Sequence, residues 1–112
     1  MKVYVSGKIT GLDEEKAINK FMESVWMLRS QGCKVMSPHV LIDCKDFEHE
    51  DYIHVCYAMI DVCDAIFMQK DWQDSKGARL ELQYASDWHK QIIYEEVGTI
   101  DKNFPVVHGK EE

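Results

Sequence analysis

The chain lacks the features that mark membrane, secreted and nucleic-acid-binding proteins. No apolar run approaches the roughly 18 residues of a bilayer-crossing helix. The opening MKVYVSGKIT enters an apparent strand directly, without the charged and then apolar pattern of a leader. A soluble, cytoplasmic protein with no membrane partner is therefore expected. Basic residues are in the minority, 13 Lys and Arg against 20 Asp and Glu, for a formal charge of -7. They form no stripe that could follow a polynucleotide backbone, so a long nucleic acid is not an expected partner. A small anion remains possible, because helix N-termini and backbone N–H groups hold phosphate whatever the net charge. The four cysteines, Cys33, Cys44, Cys56 and Cys63, show no CxxC spacing and sit in or beside apolar segments; they read as reduced, mostly buried thiols. His49 and His54 are five residues apart and face different sides of a helix, so no metal site is expected, and nothing calls for a cofactor. Internal repeats, low-complexity segments and linkers are also missing.

What is present is apolar material for a real core. With 46% hydrophobic and 11% aromatic residues in 112 positions, the chain has enough for one globular domain and is too short for two. That domain is expected to span 1–112, with a core over 1–97 and a tail over 98–112. KVYVS at 2–6 is a β-branched and aromatic run ended by Gly7. The following helical segment carries Ala17, Ile18, Phe21, Met22, Val25 and Leu28 at 3.6-residue spacing and stops at Gly32. CKVMSP is a short strand halted by Pro38, and a polar, irregular stretch runs from His39 to about His49. A helix over about 50–62, a strand at 64–68, a helix over 77–89 and a strand at 91–95 complete the pattern. The order β-α-β-α-β-α-β, with strands apolar enough to be buried on both faces, predicts a three-layer α/β/α sandwich. Its parallel sheet would have four or five strands in the flavodoxin-like or Rossmann-like order 2-1-3-4(-5), the fifth near PVVH in the tail.

Such a sheet binds its ligand beyond the carboxyl ends of the strands, at the switch point of the strand order. Two loops are expected to meet there, SGKITGLD after the first strand and QKDWQDSKGA after the third. Each leads into a helix N-terminus. Gly7, Gly11 and Gly77 would let the backbone turn tightly and approach a ligand, although glycine in a strand-to-helix loop is equally an ordinary way for such a fold to turn. Glu81 lies four residues after Gly77, one turn into a helix. Because helical side chains tilt toward the N-terminus, its carboxylate aims back at the crevice, either as a reactive group or as a first-turn complement to the helix dipole.

KVYVSGKITG, CDAIFM, DWQDSKGARLE and the following YA, in this order and spacing over about residues 1 to 95, resemble the nucleoside 2-deoxyribosyltransferase superfamily, specifically its short deoxyribosyltransferase-like branch. The most specific element is the S-x-G-x-x-x-E pattern of Ser75, Gly77 and Glu81. The resemblance implies that Glu81 is a nucleophile attacking the anomeric carbon of a 2-deoxyribosyl group. It also implies that Ser75 and Gly77 hold a 5′-phosphate and that Tyr4 positions the nucleophile. Ser6, Gly7, Thr10 and Gly11 would line the sugar and phosphate side. Trp72 and Asp71 would face the base, with Asp71 assisting proton transfer. Many active relatives carry an Asp in the helix before the third strand; Cys56 stands there in this chain. The small-molecule partner implied is a nucleoside or nucleotide, and the activity is cleavage or transfer at its N-glycosidic bond. A nucleotide-binding or sequestering module with the same pocket is the alternative. Superfamily members are dimers or larger, so a homodimer or higher homo-oligomer is expected. Met22, Trp26, Met59, Tyr84 and Trp88 are apolar beyond the needs of one core face, which suits an interface or equally a thick core covering both faces of the sheet, and the resemblance implies that the tail around Asn103 and Phe104 would complete a neighbour's pocket.

Overall fold

The computed structural model describes residues 1–95. Strand β1 (Lys2–Ser6) is the central element. Its period-two alternation sends Val3 and Val5 to one face of the sheet and Tyr4 and Ser6 to the other, and all four are fully buried. The chain then returns through helix α1 (Glu14–Ser30) to the edge strand β2 (Lys34–Met36), and through helix α2 (His49–Asp61) to β3 (Ala65–Met68). Helix α3 (Lys76–Asp87) leads to the last described strand, β4 (Gln91–Tyr94). All pairings are parallel and the order is β2-β1-β3-β4, as the sequence pattern predicts.

Two cores result, one on each face. Phe21, Val25 and Leu28 of α1 pack on Val3, Val5, Ala65, Phe67 and Ile93. On the opposite face Cys56 and Ile60 of α2 and Ala78 and Ala85 of α3 pack on Tyr4, Ile66 and Met68. A fully buried side chain the size of Phe21 or Ile60 stabilises the fold by about 1.5–3 kcal/mol relative to leaving it in water. Burial on both faces holds for β1 and β3, whereas β2 and β4, the outer strands among the described residues, are each only partly covered.

The helix ends follow local chemistry. Asp13 caps α1 by accepting from the Lys16 N–H at 3.2 Å, with Glu14 and Glu15 at its positive end. At the other end Gly32 adopts φ +91, and the Cys33 N–H reaches back to the Leu28 carbonyl at 3.1 Å. Helix α2 opens with the Glu48 N–H donating to Asp51 Oδ2 at 2.8 Å. Three boundaries differ from expectation. The polar stretch after β2 contains a short 3-10 turn at Pro38–Leu41. Residues 72–74 form another. Helix α3 stops at Asp87 because the chain turns through His89, whose φ is +60. The expected tail, its edge strand near PVVH, and Asn103 and Phe104 lie outside the described residues.

No cysteine is paired; Cys56 and Cys63 are buried, and Cys33 and Cys44 are half-buried. Among the described residues no helix is long and apolar enough to cross a membrane.

Candidate active site

The strand order reverses between β1 and β3. From β1 the chain crosses outward to β2; from β3 it crosses the other way to β4. The loops leaving these two central strands flank the switch point beyond their carboxyl ends, where a sheet of this kind binds its ligand. The register pairs Ser6 with Met68, so Gly7 and Gln69 are the first residues beyond the sheet on either side of that point.

On the α2/α3 face, three of the expected residues come together. Glu81 projects from the second turn of α3 toward the end of β1. Its Oε2 accepts from the Tyr4 hydroxyl at 3.0 Å and its Oε1 from the Ser6 hydroxyl at 2.7 Å. Tyr4 and Ser6 are two residues apart on one strand, so the pleat points both at the same carboxylate. The Cys56 thiol, from α2, also stands within hydrogen-bonding reach of Tyr4 and Glu81. Burial pushes the Glu81 carboxyl up to about 7, against the opposing effect of the Ser6, Tyr4 and Cys56 donors. Burial, with Glu81 adding to it, holds the Tyr4 phenol well above its usual range and pushes the Cys56 thiol up to about 12. A carboxylate flanked by neutral donors and titrating near neutrality can act as a nucleophile or as a base.

On the α1 face the arrangement is different. Gly7 does not have a positive φ; its lack of a side chain is a packing requirement, since a Cβ there would fall 2.0 Å from Gln69 Oε1 and 3.0 Å from Gln69 Cβ. The buried Gln69 amide thus occupies the space a residue-7 side chain would take. Its Nε2 donates to Ser24 Oγ at 2.9 Å and to the Lys20 carbonyl at 3.2 Å, while its Oε1 has no hydrogen-bond partner among the described residues. Asp71 is held here, apart from Glu81's donors. Its Oδ1 accepts from the Lys8 N–H at 3.1 Å, and its Oδ2 accepts from the Lys20 ammonium at 2.8 Å. Lys20 also donates to the Lys8 carbonyl at 2.8 Å.

The remaining expected residues lie on the loop after β1, on the loop after β3 and at the start of α3. Thr10 and Gly11 are exposed, and Gly11 takes φ +90 in the turn where the Leu12 N–H meets the Ile9 carbonyl at 3.1 Å. Ser75 caps α3, its Oγ accepting from the Ala78 N–H at 3.1 Å. Gly77 lies in the first turn of α3, where a Cβ would meet nothing nearer than Ser75 Oγ at 3.9 Å, so the space before it is open. Trp72 is half-buried and tilted against Tyr94, with ring centroids 6.0 Å apart. Tyr57 stacks on Tyr84 with centroids 4.0 Å apart and planes 3° from parallel. Sequence reasoning missed Lys20 and Gln69. Gln69 had a legible signal: it continues the parity of Ala65 and Phe67, which places a polar side chain on the face that packs against α1. Lys20 had none, because its partners lie 12 and 51 residues away.

The fold, a parallel sheet in the order β2-β1-β3-β4 with helices on both faces, is like that of two solved structures. The chain matches a CMP N-glycosidase from Clostridium botulinum with a TM-score of 0.58 and 19% identity, over 84% of this chain and 67% of that one. It matches a 2-deoxyribosyltransferase from Leishmania mexicana with a TM-score of 0.64 and 16% identity, over 85% of this chain and 65% of that one. It spans about two thirds of the length of each. Residues 1–94 match the model of a domain of unknown function, DUF4406, and the chain belongs to that family. No curated protein matches it in sequence.

Proposed function

We propose that this protein breaks the N-glycosidic bond of a (deoxy)nucleoside or its 5′-monophosphate, with Glu81 as the nucleophile. The observation that carries the reading is the Glu81 carboxylate, held by the Tyr4 and Ser6 hydroxyls at the switch point of the sheet. Solved structures of the same fold that are named as an N-glycosidase and a deoxyribosyltransferase support the reaction class. In the first step a Glu81 oxygen bonds to the anomeric carbon as the glycosidic bond breaks. The base leaves with the bonding pair and takes up a proton from solvent water. The transition state carries oxocarbenium character, which the carboxylate stabilises. In the second step water, or another base, attacks the same carbon, gives up a proton to solvent and releases Glu81 with its electron pair. Tyr4 and Ser6 orient the carboxylate and spread its charge. Ser75 and Gly77, at the start of α3, hold the 5′-phosphate, with Gly7, Thr10 and Gly11 on the sugar side and Trp72 against the base. The acting unit is a homodimer or larger assembly, a reading supported by the exposure of Trp26 (60%) and Trp88 (62%).

The alternative is a module that binds or sequesters a nucleotide without turnover. It is favoured by Asp71, the expected proton donor, whose two oxygens both accept from nitrogen donors. One experiment separates the readings. Purified protein is incubated with a panel of deoxynucleosides, ribonucleosides and their 5′-monophosphates, with and without an added free base, and the products are separated by chromatography. Free base from the wild type but not from Glu81→Ala is the expected result, and exchanged base would mark a transferase. No product from any substrate, with unchanged nucleotide affinity in Glu81→Ala, would overturn the nucleophile assignment in favour of the binding module.

A further inference from the structure

We propose that Lys20 is a positioning residue which, together with Asp71, clamps residue 8 and so fixes the loop after β1 that walls the crevice. The loop from Gly7 to Leu12 has no helix or ladder to hold it; its internal tie is the Leu12 to Ile9 turn. From outside, Ile9 packs against the α1-face core, and the hydrogen bonds converge on Lys8. Asp71, on the loop after β3, takes the Lys8 N–H, and Lys20, on α1, takes the Lys8 carbonyl. The two side chains then bond to each other at 2.8 Å. Both main-chain polar groups of one residue are thereby fixed by a pair of charges that neutralise one another.

The clamp is rooted in the sheet. The Lys20 carbonyl accepts from Gln69 Nε2, and Gln69 lies two residues before Asp71, so the hydrogen bonds close a ring through Gln69, Lys20, Lys8 and Asp71. Gln69 fills the place of a Gly7 side chain, which sets the loop's exit from β1 at the same time. The Lys20 ammonium has little left to offer a ligand, since it donates to Lys8 and Asp71 and stands over the Phe21 ring 4.7 Å from its centroid. Asp71 likewise has both oxygens engaged. Each side chain retains 27% exposure, so the pair borders the crevice without being sealed away from it. The role differs from proton transfer in what it demands: a clamp needs both partners together, whereas an acid needs only its own carboxyl.

The test is a double-mutant cycle on the full chain with Lys20→Met, Asp71→Asn and the double variant. Asp71→Asn is the gentler change, since an amide oxygen can still accept the Lys8 N–H while the ionic arm to Lys20 is lost. Amide hydrogen exchange, followed by NMR on the ligand-free protein, reads the loop directly. The clamp predicts exchange at Lys8, Ile9 and Leu12 at least tenfold faster in either single variant, no further acceleration in the double variant, and partial recovery in Lys20→Arg. Unchanged exchange in both single variants would overturn it, as would accelerations that multiply in the double variant. The activity arm alone rests on the proposed function. There the clamp predicts similar rises in KM for Lys20→Met and Asp71→Asn. A fall in kcat in Asp71→Asn with Lys20→Met unaffected would instead make Asp71 the acid. A wild type that releases no base would fail the proposed function and leave the exchange result to decide the clamp.

Discussion

The two faces of the sheet meet at one crevice but furnish it in opposite ways. On the α2/α3 face a single carboxyl group is surrounded by neutral donors, Tyr4, Ser6 and Cys56, with no opposite charge among their contacts. On the α1 face a lysine and an aspartate are matched to each other and to main-chain groups. An unmatched buried carboxyl group is costly and therefore reactive; a matched pair is quiet and therefore structural. The difference suggests a division of labour, with chemistry on one side and rigidity on the other.

The largest break in that contrast is Glu81→Gln. The folded protein keeps the Glu81 proton up to about pH 7, whereas the unfolded chain loses it near the ordinary 4.5. Stability therefore falls as pH rises through that window, and the penalty is fully present above it. A neutral amide removes the penalty. Urea titrations are expected to show Glu81→Gln more stable than wild type at pH 8, by on the order of 1–3 kcal/mol, with the gap closing toward pH 5. The same variant should lose base release. An equal gap at both pH values would deny that Glu81 is an unmatched carboxyl group.

Gly7→Ala attacks the other face. The added Cβ collides with the Gln69 amide, whose displacement breaks its bonds to Ser24 and Lys20. A loss of about 1–3 kcal/mol is expected from overpacking, measured by thermal or urea unfolding. A variant as stable as wild type would show that the α1 face is looser than its hydrogen bonds imply.

Next in size is Tyr4→Phe. Removing a donor disfavours the charged carboxylate, so under the proposed function the midpoint at which base release rises with pH should move up from about 7. The expected shift is about one unit, since a hydrogen bond to a charged group contributes about 1.5 kcal/mol and a pKa unit corresponds to about 1.4. A pH profile with an unmoved midpoint would remove Tyr4 from Glu81's environment.

The smallest effect on the fold is expected from Gly77→Ala. The site is helical and open, so stability should hold or rise by up to about 1 kcal/mol on helix propensity. Set beside Gly7→Ala, this separates a glycine required by packing from one that leaves room for a ligand. If a 5′-phosphate lies against Gly77, calorimetry should show weaker binding of the monophosphate but not of the nucleoside.

Much of this was legible in the sequence because it is local. Apolar runs place β1 and β3, 3.6-residue spacing places α1, and the offset from Gly77 to Glu81 turns one carboxylate toward the crevice. Tyr4 beside Glu81 was implied by the family resemblance alone; Ser6 was expected on the sugar and phosphate side, and its bond to Glu81 emerges only with the packing of α3 on that face. The Lys20, Lys8 and Asp71 ring was not legible, since it depends on three segments converging and none has a distinctive composition. Gly7 was expected to serve ligand approach; its packing against Gln69 emerges only when the parity of β3 is carried one residue past its end.

The parallel register also separates the two ends of the molecule. Lys2 and Ser6 stand about 13 Å apart along β1, with Asp64 accepting from the Lys2 N–H at one end and the Glu81 cluster at the other. Met1, 55% exposed, therefore projects from the pole opposite the crevice. A tether fixed there would hold the molecule to a surface with its opening outward, as an immobilised binding assay requires.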